Sequence, residues 1–212
     1  MLDESGSKIS PRTIARLPVY WRYLKELDDF GIQRISSREL AGRIGITPSQ
    51  LRQDLNQFGH FGQHGYGYPV EELLSSISQI LGLNRTRKMI IVGMGNLGMA
   101  IASYENFGRR NIELAALFDV DPKKIGTSVA GVKIQHTDNM PEFLEKNQID
   151  IGCVSTPPEV AQKAVTTMEH GGVLGIWNFA PVKLQTKLPV EHLHLGDSLL
   201  ELLYRIGRRE EK

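Results

Sequence analysis

The sequence predicts an α/β protein: an N-terminal winged-helix (helix-turn-helix) domain followed by a Rossmann parallel-sheet domain and a closing C-terminal helix. Three observations carry this. Two helix-start signals stand in tandem at Ser36 and Thr47, a glycine fingerprint follows an apolar run at Gly93, and short apolar runs alternate with helical runs beyond it. The expected division is residues 1–84 for the first domain, 85–196 for the second and 197–212 for the last helix, with the break near Gly82-Leu83-Asn84-Arg85.

In the first segment, Ile14, Leu17, Trp21, Leu24, Leu27 and Phe30 recur at three- and four-residue steps and define one face of a helix ending at Gly31. Pro18 either kinks this helix or starts its main part. Ser36 with Glu39 forms a capping box, and the helix behind it stops at Gly45. Thr47-Pro48-Ser49-Gln50 opens the next helix with proline at its first position. Two short helices joined by a tight glycine turn make a helix-turn-helix, whose second helix enters the major groove. Its outward residues are Ser49, Gln50, Arg52, Gln53 and Asn56, all able to bond to bases or phosphates. Arg52 suits guanine and Gln53 suits adenine, whereas Asp54 repels phosphate and pairs with a nearby arginine. Between Lys8 and Gly59 nine basic residues face five acidic ones, and seven of the nine are arginine, although the whole chain carries only +1. The glycine-rich stretch from Gly59 to Pro69 reads as a hairpin wing or as a plain connector.

In the second segment, strands are expected at residues 89–92, 114–118, 149–154 and 173–176, and helices at 97–104, 140–146 and 159–169. Gly93-Met94-Gly95-Asn96-Leu97-Gly98 sits between the first strand and the first helix, the context a dinucleotide fingerprint requires. Gly93 permits the tight turn, Gly95 the approach of a pyrophosphate, and Gly98 close helix–strand packing, while Asn96 and Leu97 place N–H groups at the helix start. Asp119 lies 21 residues after Gly98, at the end of the next strand. A carboxylate there accepts from ribose hydroxyls and repels a 2′-phosphate, favouring NAD(H); Lys123 or Lys124 would soften that preference. A Rossmann core with another ligand, such as coenzyme A, is the alternative. Thr156 and Pro157 end one later strand and Asn178 and Phe179 another, so these residues are expected to rim the crevice.

No enzyme signature stands out. The Rossmann core consumes the chain, leaving no substrate domain, and the six histidines lack a partner pattern. A small NAD-dependent oxidoreductase remains the rival reading. The single cysteine, Cys153, lies in an apolar strand and fits a reducing cytoplasm; no apolar run is long enough to span a bilayer, and residues 1–10 lack a secretory pattern. The final helix, residues 198–209, is apolar around more than one stripe, so it must be buried in its own fold or between two subunits; near-palindromic operators favour the dimer.

Taken in order, several motifs resemble the Rex family of redox-sensing transcriptional repressors. They are Ile14-Ala15-Arg16-Leu17-Pro18-Val19-Tyr20, Leu51-Arg52-Gln53-Asp54-Leu55, the Phe58-Gly59 to Gly67-Tyr68 stretch, the Val92 to Gly98 fingerprint, Phe118-Asp119-Val120-Asp121-Pro122 and Asn178-Phe179-Ala180-Pro181. The resemblance covers essentially the whole chain. It implies a cytoplasmic bacterial homodimer with a domain-swapped C-terminal helix, which binds double-stranded operator DNA when NADH is scarce and is released when NADH closes the dimer. It implies NADH and NAD⁺ as ligands, with Tyr104 near the nicotinamide and Arg22 and Asp197 paired between domains in one state. It adds Arg16, Gly59 and His64 to the expected DNA contacts, and Lys124 to the cofactor contacts. The family often has lysine where this chain has Gln53.

Overall fold

The computed structural model describes residues 9–58 and 66–210. The chain divides into two compact units, Met1–Arg85 and Thr86–Lys212.

In the first unit, helix α1 (Pro11–Asp29) begins where Ser10 Oγ accepts the Thr13 N–H at 3.1 Å. It continues through Pro18, so the proline neither starts nor ends it. Strand β1 (Arg34–Ile35) leads into α2 (Ser37–Ile44), capped by Ser36, and Gly45 at φ +81° turns the chain. Helix α3 (Pro48–Asn56) starts on Thr47, whose Oγ1 accepts the Gln50 N–H at 3.2 Å. The expected hairpin wing falls largely on residues 59–65, outside the described residues. Its end, β2 (Tyr68–Pro69), pairs antiparallel with β1, Ile35 opposite Tyr68. A Cβ on Gly67 would lie 2.6 Å from the Ile35 carbonyl oxygen, so only glycine allows this close pairing. Helix α4 (Val70–Ile80) then lays Leu73 and Ile77 against Leu17, Leu24, Leu40, Leu51 and Leu55 in one core.

One buried carboxylate fastens α3 to α1. Asp54 Oδ2 accepts from Arg16 Nε and Oδ1 from Arg16 Nη2, both at 2.6 Å, and the Tyr20 hydroxyl and Gln50 amide also donate to it. Burial alone would raise the Asp54 pKa; the bonds from Arg16, Tyr20 and Gln50 outweigh it and hold the carboxyl below its usual 3.8. Burial and the adjoining carboxylate push the Tyr20 phenol up.

In the second unit the strands are β3 (Arg87–Val92), β4 (Ile112–Asp119), β5 (Ser128–Val129), β6 (Val132–His136), β7 (Ile151–Val154), β8 (Gly175–Asn178) and β9 (Val190–His192). They form one seven-stranded sheet in the order β5-β6-β4-β3-β7-β8-β9, parallel except for β5. Along β3 the side chains alternate: Ile90 and Val92 join a core with Phe118, Val165 and Met168, while Met89 and Ile91 join one with Ile101, Leu117 and Cys153. Helices α5 (Asn96–Ala102), α6 (Met140–Lys146) and α7 (Pro158–His170) complete the βα units. Because β3 lies between β4 and β7, the strand order reverses beside its carboxyl end, where α/β sheets bind ligands.

The last helix, α8 (Leu195–Glu210), does not bury its apolar side chains in its own chain. Leu199, Leu200, Leu202, Leu203, Tyr204 and Ile206 are all at least 44% exposed. Among the described residues no helix is long and apolar enough to cross a membrane.

Replacing Asp54 by asparagine removes the charge that Arg16 pairs with, and the first unit is expected to lose about 2 kcal/mol, below the usual buried-pair value because Arg16 is part-exposed. Since folding lowers the Asp54 pKa, its contribution is complete above about pH 4 and disappears as pH falls below 3.8 through the folded value. Urea melts of wild type and Asp54→Asn between pH 2 and 7 should therefore converge at the acid end.

Candidate functional site

The residues expected to bind DNA and dinucleotide fall on two surfaces, one on each unit. On α3, Ser49, Arg52, Gln53 and Asn56 are exposed, on the side opposite buried Leu51 and Leu55. Gln50 is only half-exposed, with its amide nitrogen on Asp54 at 3.0 Å. Arg52 reaches Ser37 Oγ at 3.2 Å, across the turn from α2. Arg16, expected on DNA, spends Nε and Nη2 on Asp54; the carboxylate attracts it more strongly than a solvated position would. Gly59 and His64 lie outside the described residues.

On the second unit a crevice of about 690 Å3 opens at the carboxyl ends of β3, β4 and β7. Gly93, Gly95, Asp119, Lys124, Thr156 and Pro157 line it, as expected from the sequence. Sequence reasoning missed its far wall, which comes from Thr137 to Pro141 and from Val160, Lys163 and Thr167 on α7. No motif marks those residues; only their position after β6 and along α7 brings them there.

Each glycine of the fingerprint has its own reason. Gly93 has φ +94°, and a Cβ there would meet the Ser155 carbonyl oxygen at 2.7 Å. A Cβ on Gly98 would fall 1.9 Å from the Gly93 carbonyl oxygen, so the turn and the helix could not pack. Gly95 has no positive φ and nothing within 4 Å of a Cβ. Neither the fold nor the backbone requires glycine there, and the space above it opens on the crevice.

Asp119 is 7% exposed and ties the turn to β4. Its Oδ2 accepts the Met94 N–H at 2.6 Å and its Oδ1 the Asp121 N–H at 2.8 Å, while Lys124 Nζ lies 3.3 Å away. Burial alone would raise its pKa, but the Asp121 and Met94 N–H groups and Lys124 outweigh it, so the carboxyl stays below its usual value and ionised. Thr156 Oγ1 is buried without a hydrogen-bond partner, an unsatisfied group of the kind a polar ligand satisfies. The residues present thus fit an adenosine-bearing dinucleotide: a glycine turn for phosphates, an ionised acceptor for ribose and an unpaired hydroxyl on the wall.

The remaining expected cofactor residues separate. Asn96, Leu97 and Gly98 form the first turn of α5. Tyr104 and Phe179 line a second, largely apolar cavity of about 860 Å3 beside β8 and β9. Asn178 is a correction: fully buried, it donates to the Ala180 and Val182 carbonyls, contacts His192 Nδ1 at 3.0 Å and accepts the Ala180 N–H. Its amide closes the turn after β8 instead of facing a ligand, because the chain must reverse there and leaves backbone groups to satisfy. Arg22 is exposed on α1 with its guanidinium 5.5 Å from the Tyr23 ring centre, and Asp197 is exposed in the first turn of α8. Burial pushes the Cys153 thiol up to about 12, which removes it as a nucleophile.

A helix-turn-helix unit followed by a dinucleotide-type crevice defines a ligand-responsive DNA-binding regulator. The family model described as "Putative DNA-binding protein N-terminus" matches residues 8–56, and the CoA binding domain model matches residues 84–182. Over 95% of its length the chain is 48% identical to the redox-sensing transcriptional repressor Rex of Caldicellulosiruptor saccharolyticus, covering 93% of that protein. It is 50% identical to the Rex of Clostridium acetobutylicum, with 94% of each chain covered. A crystal structure of RSP in complex with β-NAD⁺ and operator DNA superposes with a TM-score of 0.89 at 43% identity, covering 96% of this chain and 95% of that one. RSP in complex with β-NADH gives 0.86 at 40% identity, covering 96% and 97%. The chain belongs to the Rex family of redox-sensing transcriptional repressors, a family of regulators rather than enzymes.

The two glycines predict opposite behaviour. Gly95→Ala should melt within about 2 °C of wild type yet bind a dinucleotide at least about tenfold more weakly, whereas Gly98→Ala should lower the melting temperature itself. Differential scanning fluorimetry beside ligand titration checks both.

Proposed function

We propose that this protein binds double-stranded operator DNA as a homodimer and leaves it when NADH binds, so that transcription follows the NADH/NAD⁺ ratio. The observation that carries this is the crevice, in which Gly95 has empty space above it and ionised Asp119 flanks the same turn. The RSP complexes, one with β-NAD⁺ and operator DNA and one with β-NADH, support the same ligands here. Coenzyme A, the ligand suggested by the second family description, carries a ribose phosphate that would meet the Asp119 carboxylate.

In this reading α3 enters the major groove, with Ser49, Gln50, Arg52, Gln53 and Asn56 toward base edges and Arg16 toward the DNA backbone, while Gly59 and His64, also expected on DNA, lie outside the described residues. Arg16 does both jobs: Asp54 fixes its guanidinium, and its remaining donors face phosphate. Gly93, Gly95, Asn96, Leu97 and Gly98 take the pyrophosphate, Asp119 and Lys124 the adenosine ribose, and Thr156 and Pro157 the crevice wall. Tyr104 and Phe179 face the nicotinamide. The exposed apolar side of α8 is covered by a second copy of the chain in a helix swap, with Arg22 and Asp197 pairing in one of the two states. A ligand shifts such an equilibrium only by its differential affinity for the two states, and a coupling of about 1–3 kcal/mol is enough. A repressor that meets both operator DNA and the NADH pool acts in the cytoplasm.

Operator binding measured with NADH, NAD⁺ and coenzyme A added in turn tests this. Release by NADH alone is expected; release by coenzyme A, or indifference to all three, would refute it. Gln53→Lys should tighten operator binding and steepen the slope of log K against log salt by about one unit, the signature of one added phosphate contact.

A further inference from the structure

Four aromatic rings meet edge to face beside the second cavity. Ring centres lie 5.2 Å apart for Tyr104 and Phe107, 6.4 Å for Phe107 and Trp177, and 4.6 Å for Trp177 and Phe179. The face of an aromatic ring is its negative side and attracts cations. Where such a face opens on a cavity, it favours a cationic heterocycle over its neutral, reduced form. For a protein that answers to NADH, that preference has the wrong sign.

Arg110 ends the 3-10 turn Glu105–Arg110 and lies on the same cavity wall. Its guanidinium carbon is 5.5 Å from the Tyr104 ring centre, and Nη1 donates to Tyr104 Oη and to the Asn106 carbonyl, both at 3.2 Å. The guanidinium is charged at every accessible pH. It therefore occupies a face of Tyr104 and anchors the phenol at once. Glu191, an acidic side chain on this wall, is exposed, so water screens it.

We propose that Arg110 sets the redox preference of this cavity by taking the face of Tyr104 that a cationic nicotinamide would otherwise use. The inference rests on the dinucleotide reading above. Arg110 discriminates against NAD⁺ rather than binding NADH, so its removal acts on one ligand of the pair. Hydrogen bonding from Asn106 and Arg110 also lowers the Tyr104 phenol pKa, which supplies a second readout that needs no ligand.

The test is direct titration of NADH and NAD⁺ into the full chain, for wild type, Arg110→Gln and Arg110→Lys. Arg110→Gln should narrow the NADH-over-NAD⁺ affinity ratio about tenfold, chiefly by tightening NAD⁺, and Arg110→Lys should stay within about threefold of wild type. In the ligand-free protein, the Tyr104 phenol, followed by NMR, should titrate at higher pH in Arg110→Gln. Equal weakening of both ligands, or an unchanged ratio, overturns the proposal. Wild type binding neither dinucleotide would instead bring down the reading on which it rests.

Discussion

The bond from the Met94 N–H to the Asp119 carboxylate holds the second unit in working shape. It joins the turn after β3 to the end of β4 at the place where the strand order reverses. With the turn pinned there, Gly93 can adopt its left-handed backbone, Gly98 can pack on the Gly93 carbonyl, and the N-terminus of α5 faces the crevice. The same carboxylate stays ionised because N–H groups and Lys124 outweigh its burial. A residue usually described as a ribose acceptor is thus also part of the frame. The ribose contact proposed for it is compatible with these bonds because each carboxylate oxygen can accept more than one hydrogen bond.

The first unit repeats this device for another purpose. Asp54 lies on the recognition helix, and its buried charge is met by Arg16 and Tyr20 from α1. A recognition helix has to present its side chains at a fixed depth and angle, and leucine packing alone tolerates small rotations. A bidentate arginine–carboxylate pair does not, because both its bonds are directional. The outward residues of α3 are therefore held by a polar clamp on their inner side.

The second cavity differs in kind. It has a nearly apolar lining with one guanidinium placed against an aromatic ring, and α8 presents a row of exposed leucines. Contiguous exposed apolar surface is uncommon on a monomer and is characteristic of interaction sites. Family membership and the physical character of these surfaces lead to the same expectation of a dimer whose ligand response involves both.

Features written in contiguous residues are legible before any folding is considered. The capping signals at Ser36 and Thr47 mark helix starts through local hydrogen bonds, and the spacing of Gly93, Gly95, Gly98 and Asp119 follows from one βαβ unit. The β5–β6 hairpin escaped notice because its turn, Ala130-Gly131, takes positive φ at both residues without the usual asparagine or aspartate. Nothing local to Asn178 shows that its amide turns to the Ala180 and Val182 backbone. That the arginine paired with Asp54 is Arg16, 38 positions away, and that Tyr104 and Phe179 line a cavity of their own, emerge only on folding. These outcomes depend on which surfaces the folded chain brings together, and burial, not sequence distance, sets the strength of the charges that meet there.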